Sequence, residues 1–165
     1  MRTIVIGVGN PILSDDSVGI RIARQLQETL PPAGRDVDGG ATDGEDVVDV
    51  TEVYAGGLRL METLSGYDRA FLIDAVETGE GPPGTVHTFA RQDLRALRNV
   101  SGVHDTSLGM ALQVADRLAM PLPGDIRIWG VEIGEHGMEF GESLSPAVAA
   151  AMPGVVRAVR AALQR

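Results

Sequence analysis

Residues 2–8, RTIVIGV, form an uninterrupted β-branched run that leads into the glycine pair Gly7 and Gly9 and then into a helical apolar pattern. A strand with no polar alternation has both faces buried, which is the mark of a parallel sheet covered by helices on each side. Parallel strands need long crossovers, and the chain supplies them. Val18, Ile20, Ile22, Ala23 and Leu26 fall near helical spacing and predict a helix over 16–29. Ser14 or Asp15 is placed to cap its first turn, and Pro31-Pro32 to stop it. Further strands are predicted at 47–54, 69–76, 85–90 and 125–133, the 85–90 strand at an edge. Helices are predicted near 58–65, 92–98, 105–119 and 145–163. Residues 33–46, rich in Gly and Asp, predict a long exposed loop. This alternation implies one α/β domain over 1–165, with a mostly parallel sheet and helices on both faces.

At 165 residues the chain is long enough to bury a core without covalent staples. It has no cysteine, which removes disulfides, thiolate metal sites and a cysteine nucleophile. The formal charge of −9 argues against a nucleic-acid partner and suits a cationic metal or a basic peptide. The apolar start stops at Gly7, too soon for a signal peptide, and no run reads as long enough to cross a bilayer. The expectation is a cytoplasmic protein, monomeric, with no membrane and no nucleic acid among its partners.

In open parallel sheets, sites lie beyond the carboxyl ends of the strands. The turn after the first strand is not a dinucleotide loop, because Ile12 stands where G-x-G-x-x-G needs its last glycine, and Asp15 and Asp16 would repel a pyrophosphate. Of the two, Asp15 is read as the helix cap and Asp16 as the residue that faces the site. Asp74 closes the apolar strand RAFLIDAV, where a carboxylate is costly unless it is hydrogen-bonded, paired or bound to a cation. His104 sits where a loop enters a helix; His87 and His136 read as surface or packing residues. Asp16, Asp74 and His104 together make a set of two carboxylates and one imidazole, suited to a divalent metal such as Ni, Zn, Mn or Fe with coordination positions left open. No serine stands in G-x-S-x-G, so a serine triad is disfavoured.

Four blocks, in order, resemble the hydrogenase maturation proteases: IVIGVGNPILSDDSVGIRIARQL, FLIDAVETGEGPPGTVHTF, SGVHDTSLGMAL and IWGVEIGEHGMEFGESLSPAV. The resemblance implies a three-layer αβα sandwich with a twisted sheet of about five strands. It implies an endopeptidase that trims the C-terminal extension from a nickel-loaded hydrogenase large-subunit precursor. Metal ligation and catalysis then fall to Asp16, Asp74 and His104. The cofactor is nickel supplied by the substrate, although another divalent metal can take its place.

Two departures stand out. The family often has Glu where Asp16 stands. Its Asp-led glycine turn, tied to substrate recognition, corresponds here to Glu52-Val53-Tyr54-Ala55-Gly56-Gly57, so Glu52, Gly56 and Gly57 are the expected substrate contacts. The alternative readings are a non-catalytic metal-sensing maturation chaperone that binds the same precursor, and a nucleotide-binding α/β domain.

Overall fold

A computed structural model describes residues 1–30, 46–54, 57–95, 114–115 and 117–165. Five strands make one sheet: β1 (Arg2–Val8), β2 (Val47–Val53), β3 (Arg69–Val76), β4 (Val86–Ala90) and β5 (Asp125–Glu132), in the order β2-β1-β3-β5-β4. β2, β1, β3 and β5 run parallel, and β4 lies antiparallel along β5 at one edge. The α/β class, the strand number and the edge position of 85–90 are as the sequence predicts.

Successive side chains of a strand point to opposite faces, and the sheet uses both. Helices α1 (Val18–Thr29) and α3 (Pro146–Leu163) cover one face. There Val18, Ile22, Leu26, Val148, Val155 and Val159 pack on Val5, Phe71, Ile73, Trp129 and Val131. Phe71 meets Trp129 edge to face, with ring centroids 5.2 Å apart. Helix α2 (Leu58–Leu64) contributes Leu60 and Leu64 to the opposite face, against Ile4, Ile6, Leu72, Ile126 and Ile128. The result is three layers. The foot of the sheet is fastened to α3 by Arg69, which is buried and donates to Thr3 Oγ1 and to the carbonyls of Ala162 and Leu163 at the helix end. A cation there also complements the helix dipole.

The differences from the sequence reading have local causes. Asp15–Ser17 form a 3-10 turn, so α1 proper starts at Val18. It ends at Thr29 because Leu30, which precedes Pro31, is extended. The helix expected at 92–98 is a 3-10 turn over Arg91–Arg95 among the described residues. The loop expected at 33–46 lies outside them apart from Asp46, as does most of the 105–119 helix, of which Val114, Ala115 and Arg117 are helical. By length and composition α3 does reach the threshold of a membrane span, with 18 residues of mean hydropathy 1.2. Its Val148, Val155 and Val159 are nonetheless buried against the sheet.

Candidate active site at the carboxyl lip of the central strands

The chain leaves β1 at Val8 and turns so tightly that side chains are excluded. A Cβ on Gly9, which has φ of 147°, would stand 2.1 Å from the carbonyl oxygen of Asp16. The Gly9 amide donates to Val53 O on β2. The turn then folds back, and the Asn10 amide donates to Asp16 Oδ2 at 2.7 Å. Asp16 is only 2% exposed. Three residues later, Gly19 seats the first turn of α1 on the ends of two strands: a Cβ there would lie 2.4 Å from Val8 O and 2.3 Å from Ile73 O. The glycines near this turn therefore serve close backbone packing, in keeping with the absence of a dinucleotide fingerprint.

Asp74 follows Ile73 directly. It is half-buried, stands beside Gly130 of β5 in register, and accepts the Ala75 amide at Oδ1, 2.8 Å away. Because the 3-10 turn carrying Asp16 packs on β3, Asp16, which follows β1, and Asp74, near the end of β3, come to the same carboxyl edge of two adjacent parallel strands. Two carboxylates oriented by main-chain amides can accept a proton or a cation. His104 and Gly56 lie outside the described residues. Among the described residues no group of three or more potential metal ligands occurs.

Asp15 does not cap its own helix. Its Oδ1 accepts the Ser145 amide at 2.6 Å and so holds the start of α3. Ser14 Oγ donates to Glu139 O. Glu52 stands across from Gly7 at the end of β2. Its carboxylate accepts two bonds from Arg24, at 2.8 and 3.0 Å, and one from Tyr54 Oη at 2.7 Å. The Arg24 bonds, aided by Tyr54, hold its pKa below the ordinary carboxylate value against the effect of burial. Gly57, with φ of 77°, opens α2.

A second polar cluster closes the same strand ends. Glu132, at the end of β5, is 3% exposed. It accepts the amides of Thr78 and Gly79 at 2.9 Å each, the Thr78 hydroxyl at 2.6 Å, and His87 Nε2 at 3.0 Å. Burial alone would raise its pKa, but these donors outweigh burial and the carboxyl titrates below its usual range. Since the Thr78 hydroxyl donates to Glu132, His87 Nε2 faces only acceptors, which assigns its proton to Nε2. Along the sheet, Asp74, Gly130 and His87 share one row across β3, β5 and β4. Sequence reasoning does not single out Glu132 and reads His87 as a surface or packing residue. The available signal was the one used for Asp74, an acid that closes an apolar strand.

Residues 20–162 match the sequence profile of the HycI family, described as hydrogenase maturation protease. The Escherichia coli (strain K12) Hydrogenase 2 maturation protease is 29% identical over 167 residues, covering 99% of this chain and 92% of that one. The Rhodobacter capsulatus Hydrogenase expression/formation protein HupD is 29% identical over 152 residues, covering 90% of this chain and 64% of its own length. Among solved structures, the hydrogenase maturating endopeptidase HybD from E. coli superposes with a TM-score of 0.78 at 27% identity, covering 99% of this chain and 93% of that one. With most of its length matched and the fold shared, the chain belongs to the hydrogenase maturation protease family.

Proposed function

We propose that this endopeptidase-family chain removes the C-terminal extension of a hydrogenase large-subunit precursor, with nickel carried by that precursor as the recognition element. The observation that supports it is the seating of Asp16 and Asp74 at one lip of β1 and β3, each carboxylate fixed by a main-chain amide. In this reading Asp16, Asp74 and His104 receive the precursor's nickel, and Glu52, Gly56 and Gly57 lie along the substrate backbone. A set of two oxygen donors and one nitrogen donor suits a divalent transition metal. Nickel bound there supplies Lewis acidity near the scissile peptide.

The chain's own residues do the rest. Asp16, buried and tied to Asn10, holds its position without reorganisation. Asp74 is the more open of the two carboxylates. It takes a proton from the attacking water and returns it to the leaving amine as the C–N bond breaks.

The test is incubation of the purified chain with nickel-loaded and nickel-free precursor, read by mass spectrometry. The expected result is a shortened precursor only when nickel is present, and none with His104→Ala, whose circular dichroism stays native. Normal processing by His104→Ala would refute the site. A stable complex with no cleavage by the unaltered chain would favour the non-catalytic chaperone.

A further inference from the structure

The turn that carries Asp16 continues outward as one side of an antiparallel ribbon with residues 137–141. Asp16 donates its amide to Gly137 O, Ser14 to Glu139 O, and Gly141 to Ile12 O, while Leu13 and Phe140 form a bridge. The Ser14 hydroxyl adds a bond to Glu139 O, and Arg21 of α1 braces the far end through the carbonyl of Glu142. A ribbon tied this densely is rigid, yet it presents large apolar side chains to water: Phe140 is 84% exposed and Ile12 55%. Phe140 is the most exposed large hydrophobic residue among those described. Its surroundings are acidic, with Glu135, Glu139 and Glu142 all exposed. Ser14 and Gly137 of the ribbon, with the adjoining His136, also line a cleft of about 550 Å³. Ser145 lines the same cleft, and its buried hydroxyl has no hydrogen-bond partner among the described residues.

We infer that this ribbon is a docking platform for an extended segment of the precursor that carries an apolar side chain next to basic ones. The inference rests on the reading of the chain as a precursor protease. Each feature fits that occupant. A pre-ordered aromatic anchor adds contact area at little cost in conformational entropy. An acidic border selects basic neighbours and speeds encounter. Because Asp16 is itself the inner rung of the ribbon, a segment held on the platform is placed in register with the carboxylate lip.

The test measures binding of the full chain to immobilised nickel-loaded precursor, with processing followed in parallel. Phe140→Ser is expected to weaken binding at least about tenfold, and Glu135→Gln with Glu142→Gln to weaken it further, at unchanged melting temperature. Leu118→Ser, which alters another exposed residue (62%) distant from the ribbon in sequence, is the control and is expected to bind as the unaltered chain does. If the unaltered chain processes precursor and Phe140→Ser binds within about twofold of it, the platform is overturned while the protease reading stands. An equal loss with Leu118→Ser also overturns it. If the unaltered chain neither binds nor processes the precursor, the protease reading fails and the platform with it.

Discussion

Gly19 approaches Ile73 so closely that a Cβ on Gly19 would stand 2.3 Å from the Ile73 carbonyl oxygen. That contact seats α1 on the sheet and fixes the spacing between the segment bearing Asp16 and the strand bearing Asp74. Gly7 completes it from below, since its own Cβ would fall 2.2 Å from Gly19 O. None of these neighbours is a flexible side-chain end, so the helix must move if a methyl group is added. Gly19→Ala is therefore expected to cost about 3 kcal/mol, near the upper range for overpacking. The loss would show in chemical denaturation, and precursor processing would fall by more than the unfolded fraction explains. A variant as stable as the parent would show that the helix slides without penalty.

Glu132 gives a pH-dependent prediction with a definite sign. Its folded pKa lies below the ordinary 4.5, so it contributes stability above that value and loses the contribution as pH falls through the folded value. The unaltered protein should lose stability on acidification, and Glu132→Gln should lack that component. Glu132→Ala leaves Thr78, Gly79 and His87 without their acceptor in a buried place. The expected cost is about 1–3 kcal/mol or more at neutral pH. Parallel melting curves of the parent and Glu132→Gln from pH 7 down to about 3 decide it: curves with a constant offset would contradict the assignment.

Much of this architecture was legible, and the reasons are specific. RTIVIGV and RAFLIDAV read as buried parallel strands because they have no polar alternation, and Asp74 stood out because it broke such a run. Position at the sheet lip followed from the parallel-strand rule alone. What could not be read were pairings set by the tertiary fold. Asp15 reads as a local cap, but its partner, the Ser145 amide, lies 130 residues away. His87 meets Glu132 across 45 residues, on an edge strand whose antiparallel register no spacing reveals. Phe140 is part of an unremarkable loop sequence until the ribbon with Ile12 and Leu13 turns it outward.

The Asp15 finding predicts a split between neighbours. Asp15 supplies the acceptor for the amide of Ser145, which precedes α3. Its carboxylate at a helix N-terminus also meets the positive end of the dipole. Asp15→Ala should lower stability by about 1–2 kcal/mol, as loss of a capping group does. Hydrogen exchange should show the loss as faster opening at the first turn of α3. Unchanged protection there would mean that the bond is dispensable.

Asp16 offers the sharpest distinction between carboxylate chemistry and mere shape. The residue is 2% exposed and bound through Oδ2 to the Asn10 amide, so Asp16→Asn preserves volume while removing charge. If the carboxylate takes part in metal recognition or in orienting the attack, Asp16→Asn should reduce precursor processing by at least about a hundredfold. The fold should stay intact by circular dichroism. Asp16→Glu restores the charge with one more methylene, in a turn where Gly9 already touches the Asp16 backbone. It should recover most of the processing lost in Asp16→Asn, at some expense of stability from crowding. Asp74→Asn should match Asp16→Asn, because the two carboxylates serve one lip, and the double variant should be little worse than either single one. Additive losses would show instead that Asp16 and Asp74 act at separate steps.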